Sequence, residues 1–111
     1  MFLNWLDTKE VDEFADAIAA ELLSSFPPSE IEEQRRKGPA RLKKVHDTIF
    51  ARAESFVRAK PLNFYKKARL GNRFKWALRE AGYPAKFVDS LTYELTAFIT
   101  VKAGGRRKVQ S

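Results

Sequence analysis

Apolar side chains recur every three or four residues along most of the chain, which is the spacing of one face of an α-helix. The strongest stripe predicts a helix over residues 39–59 and consists of Leu42, Val45, Ile49, Phe50, Ala53, Phe56 and Val57. A second stripe predicts a helix over residues 8–25, which ends before two prolines, and consists of Val11, Phe14, Ala15, Ile18 and Leu22. Between them, Ser29 and Glu32 form a capping box that predicts a short polar helix over residues 30–37.

Residues 63–81 predict a third long helix, with Asn63 as its N-cap and Gly82 as the left-handed residue after its end. One side of this helix is mostly apolar or small, and the other side is mostly basic. Gly71 followed by Asn72 is a weak point, because glycine disfavours helix and Asn72 can cap a second piece. The sequence therefore leaves open two alternatives, one continuous helix or a helix broken at this position.

The pattern of residues 84–102 fits two structures. Every odd residue from Leu91 to Val101 is apolar, which is typical of a strand. A narrow helical stripe also fits, made of Phe87, Val88, Leu91, Leu95, Phe98 and Ile99. A lone strand would have no partner elsewhere in the chain, so we predict a helix. The expected fold is an all-α single-domain bundle of four main helices plus one short helix over residues 1–103, followed by a flexible basic tail over residues 104–111.

Charge is distributed unevenly along the 111 residues. Residues 1–34 contain nine acids and one base, a net charge of −8, whereas residues 35–111 contain 20 bases and five acids, a net charge of +15. Their sum is the overall net charge of +7. Such asymmetry has two explanations of equal weight: a polyanionic partner for the basic part, or internal neutralisation by the acidic first helix.

Several classes of function lack support in the sequence. The chain has no cysteine and one histidine, His46, which falls on an apolar helix face and is expected to pack at the core edge. We therefore expect no metal and no cofactor. The sequence contains no combination of a nucleophile and a general base that would indicate an enzyme. The absence of a long apolar run and of a basic leader before the acidic first helix leads us to expect a soluble, cytoplasmic protein that does not bind a membrane.

The basic side of residues 63–81 is the main candidate site, because cations that contact phosphates release counterions and exposed aromatic rings stack on bases. The first hypothesis is nucleic-acid binding, to the DNA or RNA phosphate backbone and with little sequence preference. About five phosphate contacts would give a slope of log affinity against log salt near −4. The candidate residues are Tyr65, Lys66, Arg69, Arg73, Trp76 and Arg79, with Arg106, Arg107 and Lys108 in the tail. The competing interpretation packs Trp76 beneath another helix with Arg73 stacked on its ring.

The second hypothesis is a protein–protein adaptor or a small homodimer. Its partner would bind the apolar N-terminal arm, through Phe2 and Trp5, or a groove between helices. One structural observation separates the two hypotheses. An open ridge around Arg73 with an exposed Trp76 favours nucleic acid, whereas an acidic helix lying across that ridge favours a protein partner.

Overall fold

The computed structural model of the chain describes residues 8–31, 40–60 and 62–110, with side chains described as far as Lys102. Within these residues there are four α-helices and no strand: α1 (Lys9–Ser25), α2 (Ala40–Ala59), α3 (Phe64–Ala81) and α4 (Ala85–Gln110). The predicted all-α single-domain bundle is therefore confirmed. A short 3₁₀ helix at Pro28–Glu30 stands near the predicted polar helix, most of which lies outside the described residues.

The ends of α3 form as the sequence predicts. The Asn63 side chain accepts a hydrogen bond of 2.7 Å from the backbone N–H of Lys66, which satisfies one of the free donors of the first turn. Gly82 has a φ of 101°, a left-handed conformation that glycine adopts without strain. The N–H of Tyr83 then donates to the carbonyl of Leu78 at 3.2 Å and closes the helix.

Helix α3 is continuous through Gly71, so the predicted alternative of a break at this residue is wrong. Gly71 is buried where α3 meets α4, and a Cβ atom on it would lie 2.7 Å from Cγ2 of Thr96. The absence of a side chain lets the two helices approach each other at this point. Packing against α4 therefore keeps the helix continuous at a residue whose intrinsic preference is against it.

The C-terminal segment is helical, which decides the ambiguity between helix and strand at residues 91–101. α4 continues to Gln110, past the predicted end at Lys102. The side chains of Arg106, Arg107 and Lys108 lie outside the described residues. The flexible basic tail therefore stays a prediction.

Residue pairs between helices show how the bundle is arranged. Asp12 contacts Arg69 and Asp16 contacts Arg73, both with a separation of 57, so α1 and α3 run parallel. His46 contacts Glu94 with a separation of 48, and the same separation joins Phe50 to Phe98, so α2 and α4 also run parallel. The helices pack in the cyclic order α1, α3, α4, α2, which makes α2 and α3 diagonal neighbours although they are consecutive in the chain.

The core lies along the axis of the bundle and, among the described residues, contains no buried polar or charged side chain. All four helices contribute to it. Its largest fully buried side chains are Phe26, Phe74, Ile18, Leu22, Ile49, Leu70, Leu78, Leu95, Ile99 and Val88. A core of this composition stabilises the bundle through apolar burial, and the ion pairs between helices lie at its surface.

Candidate functional site

Helix α1 lies beside the predicted basic ridge and pairs with its two central arginines. Nε and Nη2 of Arg69 donate to the two carboxylate oxygens of Asp12 at 2.9 and 3.1 Å. Arg73 donates in the same two-pronged way to Asp16, at 3.0 and 2.9 Å. The parallel register makes both pairs possible, because residues four apart on each helix advance by one turn together. Internal neutralisation therefore accounts for part of the charge asymmetry in the sequence.

These ion pairs change the electrostatics of both helices. The hydrogen bond from Arg69 is the main cause that lowers the pKa of Asp12 below its usual value, against the opposing effect of its partial burial. In return, Asp12 raises the pKa of Arg69 and Asp16 raises the pKa of Arg73. Asp12 and both arginines thus hold their charges firmly, and an incoming anion would compete with a bidentate carboxylate.

The rest of the predicted face is open to solvent. Trp76 has 64% of its surface exposed and Tyr65 has 43%, so the alternative in which the indole packs beneath a helix is wrong. Arg79 is exposed and Lys66 is half-buried, and neither has an ion-pair partner among the described residues. The predicted residues of α3 thus lie on one surface, but the two central cations of that surface, Arg69 and Arg73, are paired with carboxylates of α1. Phe2 and Trp5, the predicted partner-binding residues, lie outside the described residues.

An apolar groove between α2 and α4 is a second candidate site. Along one half of the groove the wall residues are Leu42, Lys43, His46, Asp47, Phe87, Ser90, Leu91 and Glu94. The other half is continuous with it through His46, Asp47 and Glu94, and adds Phe50, Ala51, Glu54, Tyr93, Ala97, Phe98 and Val101. From Phe87 to Val101 the groove is about 21 Å long, at 1.5 Å per helical residue.

Contacts between the two parallel helices repeat at each turn along the floor of the groove. The His46 ring stacks on Phe50 at a centroid distance of 4.0 Å, and its Nε2 lies 3.1 Å from Oε1 of Glu94. Phe50 meets the edge of Phe98 at 5.1 Å one turn further on. The histidine therefore packs at the edge of the core, as predicted, but it also lies in the groove wall.

The alternation that resembled a strand has a different explanation in α4. Leu91, Leu95 and Ile99 form one helical stripe and are buried. The intervening odd residues form a second stripe about 200° away around the helix, made of Tyr93, Ala97 and Val101. Tyr93 is 73% exposed and Val101 is 67% exposed. The odd-residue pattern was the signal for this second apolar face, but it could be interpreted only once the segment was known to be a helix.

The described residues contain no cluster of three or more histidine, cysteine or acidic side chains that is suited to a metal ion. In the same part of the chain, no helix has both the length and the apolar content needed to cross a bilayer. Comparison with protein-family models, curated proteins and solved structures finds no match to this chain. The described residues thus present two candidate binding surfaces, the α3 face and the α2–α4 groove.

Proposed function

We propose that this chain is a non-enzymatic, cytoplasmic helical module that binds another protein through the α2–α4 groove. The observation that supports this function is the second apolar stripe of α4, formed by Tyr93, Ala97 and Val101. A surface helix ordinarily presents polar residues opposite its core face. Contiguous apolar surface with a polar rim is typical of protein-interaction sites.

The pairing between α1 and α3 also favours a protein partner over nucleic acid. Arg69 and Arg73 would be the central phosphate contacts of the α3 face, yet each is held by two hydrogen bonds from its guanidinium to a carboxylate. A phosphate would meet two of the five guanidinium N–H donors of each arginine already engaged, and the positive charge already paired with a carboxylate. The acidic helix beside the basic ridge therefore supports a protein partner, whereas the exposed Trp76 supports nucleic acid.

Photo-crosslinking tests the proposed function. A benzophenone amino acid replacing Tyr93 should form covalent adducts with another protein in cells, because that position is exposed within the groove. The matched control places the same amino acid at Trp76, an equally accessible aromatic position on α3. Adding Ala97→Gln, which fills the groove without touching the core, should remove the adducts from position 93. Absence of adducts there, or equal yields from both positions, would contradict the proposal.

The homodimer version of this function depends on a different surface and has its own test. If the N-terminal arm holds a second copy, Phe2→Ala combined with Trp5→Ala should abolish self-association. Analytical ultracentrifugation at several concentrations measures this. A monomer at every concentration would restrict the function to partners other than the chain itself.

Nucleic-acid binding is a second candidate, favoured by the exposure of Trp76 and Tyr65 beside cations that have no ion-pair partner in the described residues. Lys66 and Arg79 have no carboxylate within ion-pair distance in the described part of the chain. Exposed aromatic rings next to such cations suit unpaired bases and their phosphates. Two contacts would give a slope of log affinity against log salt between about −1 and −2, shallower than five contacts would give.

Fluorescence anisotropy with single- and double-stranded oligonucleotides tests this second candidate. Lys66→Glu combined with Arg79→Glu should weaken binding and flatten the salt dependence. Lys44→Glu combined with Lys86→Glu makes the same change in net charge away from the α3 face and serves as the control. Equal effects of the two double variants would point to non-specific attraction by net charge, and no binding tighter than about 100 μM at low salt would remove the candidate.

A further inference from the structure

The α2–α4 groove presents the carboxylate of Glu94 at its midpoint, and this group bears on what can bind there. Glu94 lies about halfway between Phe87 and Val101 along α4. Its side chain is 56% exposed, and its partner in the described residues is the His46 ring. The neighbouring Asp47 is already paired with Lys43 at 2.9 Å. Glu54, the third carboxylate in the wall, is paired with Arg58 and Lys102. The middle of the groove thus presents one carboxylate, that of Glu94, which has no lysine or arginine beside it in the part of the chain described.

A second copy of the chain fits this groove poorly. A symmetric pair meets through the same patch on both subunits, related by a two-fold axis. An axis through the middle of the groove would bring Glu94 of each copy close to its counterpart as the surrounding apolar surface excludes water. Like charges in that position oppose association, because a shielding solvent is removed.

We infer that the α2–α4 groove binds an amphipathic α-helix of a different protein, with a lysine or arginine at the middle of its apolar stripe. This inference rests on the proposed function. The straight valley between two parallel helices accepts a third helix that lays its apolar residues along it. A length of about 21 Å corresponds to about four helical turns. The central cation of the partner would pair with Glu94, while its apolar residues contact Phe50, Phe98 and Val101.

Two designed peptides of about 15 residues test this inference against the full chain. Both are held helical by a staple on their polar side, carry leucines at positions spaced by three and four, and bear fluorescein. They differ in one central residue, lysine in one and glutamate in the other. Fluorescence anisotropy should show the lysine peptide binding about tenfold more tightly than the glutamate peptide.

Reversing one charge in the groove, and one charge elsewhere, separates a specific contact with Glu94 from an effect of net charge on peptide binding. Glu94→Lys should reverse the preference, so that the glutamate peptide binds more tightly. Glu13→Lys makes the same change in net charge at an exposed position of α1 and should leave the preference for lysine unchanged. Because both positions are exposed, neither variant removes a core contact, and circular dichroism of each confirms that it is folded.

The possible failures distinguish the inference from the proposed function. Equal affinities for the two peptides, both lost in Ala97→Gln, would overturn the inference and leave the groove as a protein-binding site. A dimer in sedimentation that dissociates in Ala97→Gln would also overturn it, since the groove would then hold a second copy. If neither peptide binds and position 93 gives no crosslinked adduct, both the inference and the proposed function are wrong.

Discussion

Replacement of Gly71 by alanine tests whether close approach of α3 and α4 depends on the missing side chain. The added methyl group would lie 2.7 Å from Cγ2 of Thr96, well inside van der Waals contact. Thr96 has little freedom to turn away, because its hydroxyl group donates to the carbonyl of Thr92 at 3.0 Å. The two helices must therefore separate locally, or Thr96 must leave its rotamer.

Two opposing energies set the size of the effect. Alanine favours helix over glycine by about 1 kcal/mol, which by itself would stabilise Gly71→Ala. Overpacking a close contact costs about 1–3 kcal/mol. We expect overpacking to prevail, with a net loss of about 1 kcal/mol in the free energy of unfolding and a fall of about 4 °C in Tm.

Urea denaturation followed by far-UV circular dichroism measures this effect in a double-mutant cycle with Thr96→Ser. Serine removes the obstructing methyl group and keeps the hydroxyl group. The combined variant should be more stable than Thr96→Ser alone by about 1 kcal/mol, because the helix preference of alanine is then realised. The coupling free energy should be about 1–3 kcal/mol.

Gly82→Ala serves as the control in the same cycle. Gly82 has a φ of 101°, and no atom lies within 4 Å of the place that a Cβ would occupy, so the cost of this variant comes from backbone strain of about 1–2 kcal/mol. Thr96→Ser should not relieve that cost. The explanation fails if Gly71→Ala stabilises the protein, or if its effect and that of Thr96→Ser are additive.

Three further predictions concern single side chains. Tyr83→Phe removes the 2.7 Å hydrogen bond to the buried carbonyl of Phe26 and should cost about 1–2 kcal/mol in urea denaturation. Burial raises the pKa of Tyr83 to about 12 from 10, so its stabilising effect should be full below pH 10 and decline as the pH rises to 12. The phenylalanine variant should lack this part of the loss of stability at alkaline pH. Asp12 has a pKa lowered by Arg69, so it should stabilise the fold fully above its ordinary pKa of 3.8 and lose that effect as the pH falls through its lower folded value. In urea denaturation measured at several pH values, Asp12→Asn should show a smaller loss of stability on acidification. With the other tryptophan replaced by phenylalanine, Trp76 should emit at long wavelength and be quenched by iodide, whereas blue-shifted, protected emission would contradict its exposure.

Local sequence signals predicted the helices well, because they depend on residues that are close in the chain. The cap of Asn63 and the left-handed Gly82 act within one turn of their own helix. The apolar stripe of residues 39–59 needs only helical periodicity to be recognised. For α4 the same periodicity was ambiguous, since its two apolar stripes together resemble the alternation of a strand.

The candidate surfaces were less predictable, because they depend on which helices become neighbours. The sequence placed Arg69 and Arg73 on a polar face with Trp76, and the structure agrees. It could not show that Asp12 and Asp16 would lie opposite the arginines. That pairing follows from a parallel register between residues 57 apart, which no local pattern specifies.

By itself, the sequence determined three amphipathic helices with their ends and an uneven distribution of charge. Each of these properties arises from interactions within a few residues. The tertiary structure decided that Gly71 joins two helices and does not interrupt one, that α1 neutralises the centre of the basic ridge, and that the second stripe of α4 is left exposed beside α2. These outcomes depend on packing between distant segments, because a side chain's contacts and charge partners are set by the helix that lies against it.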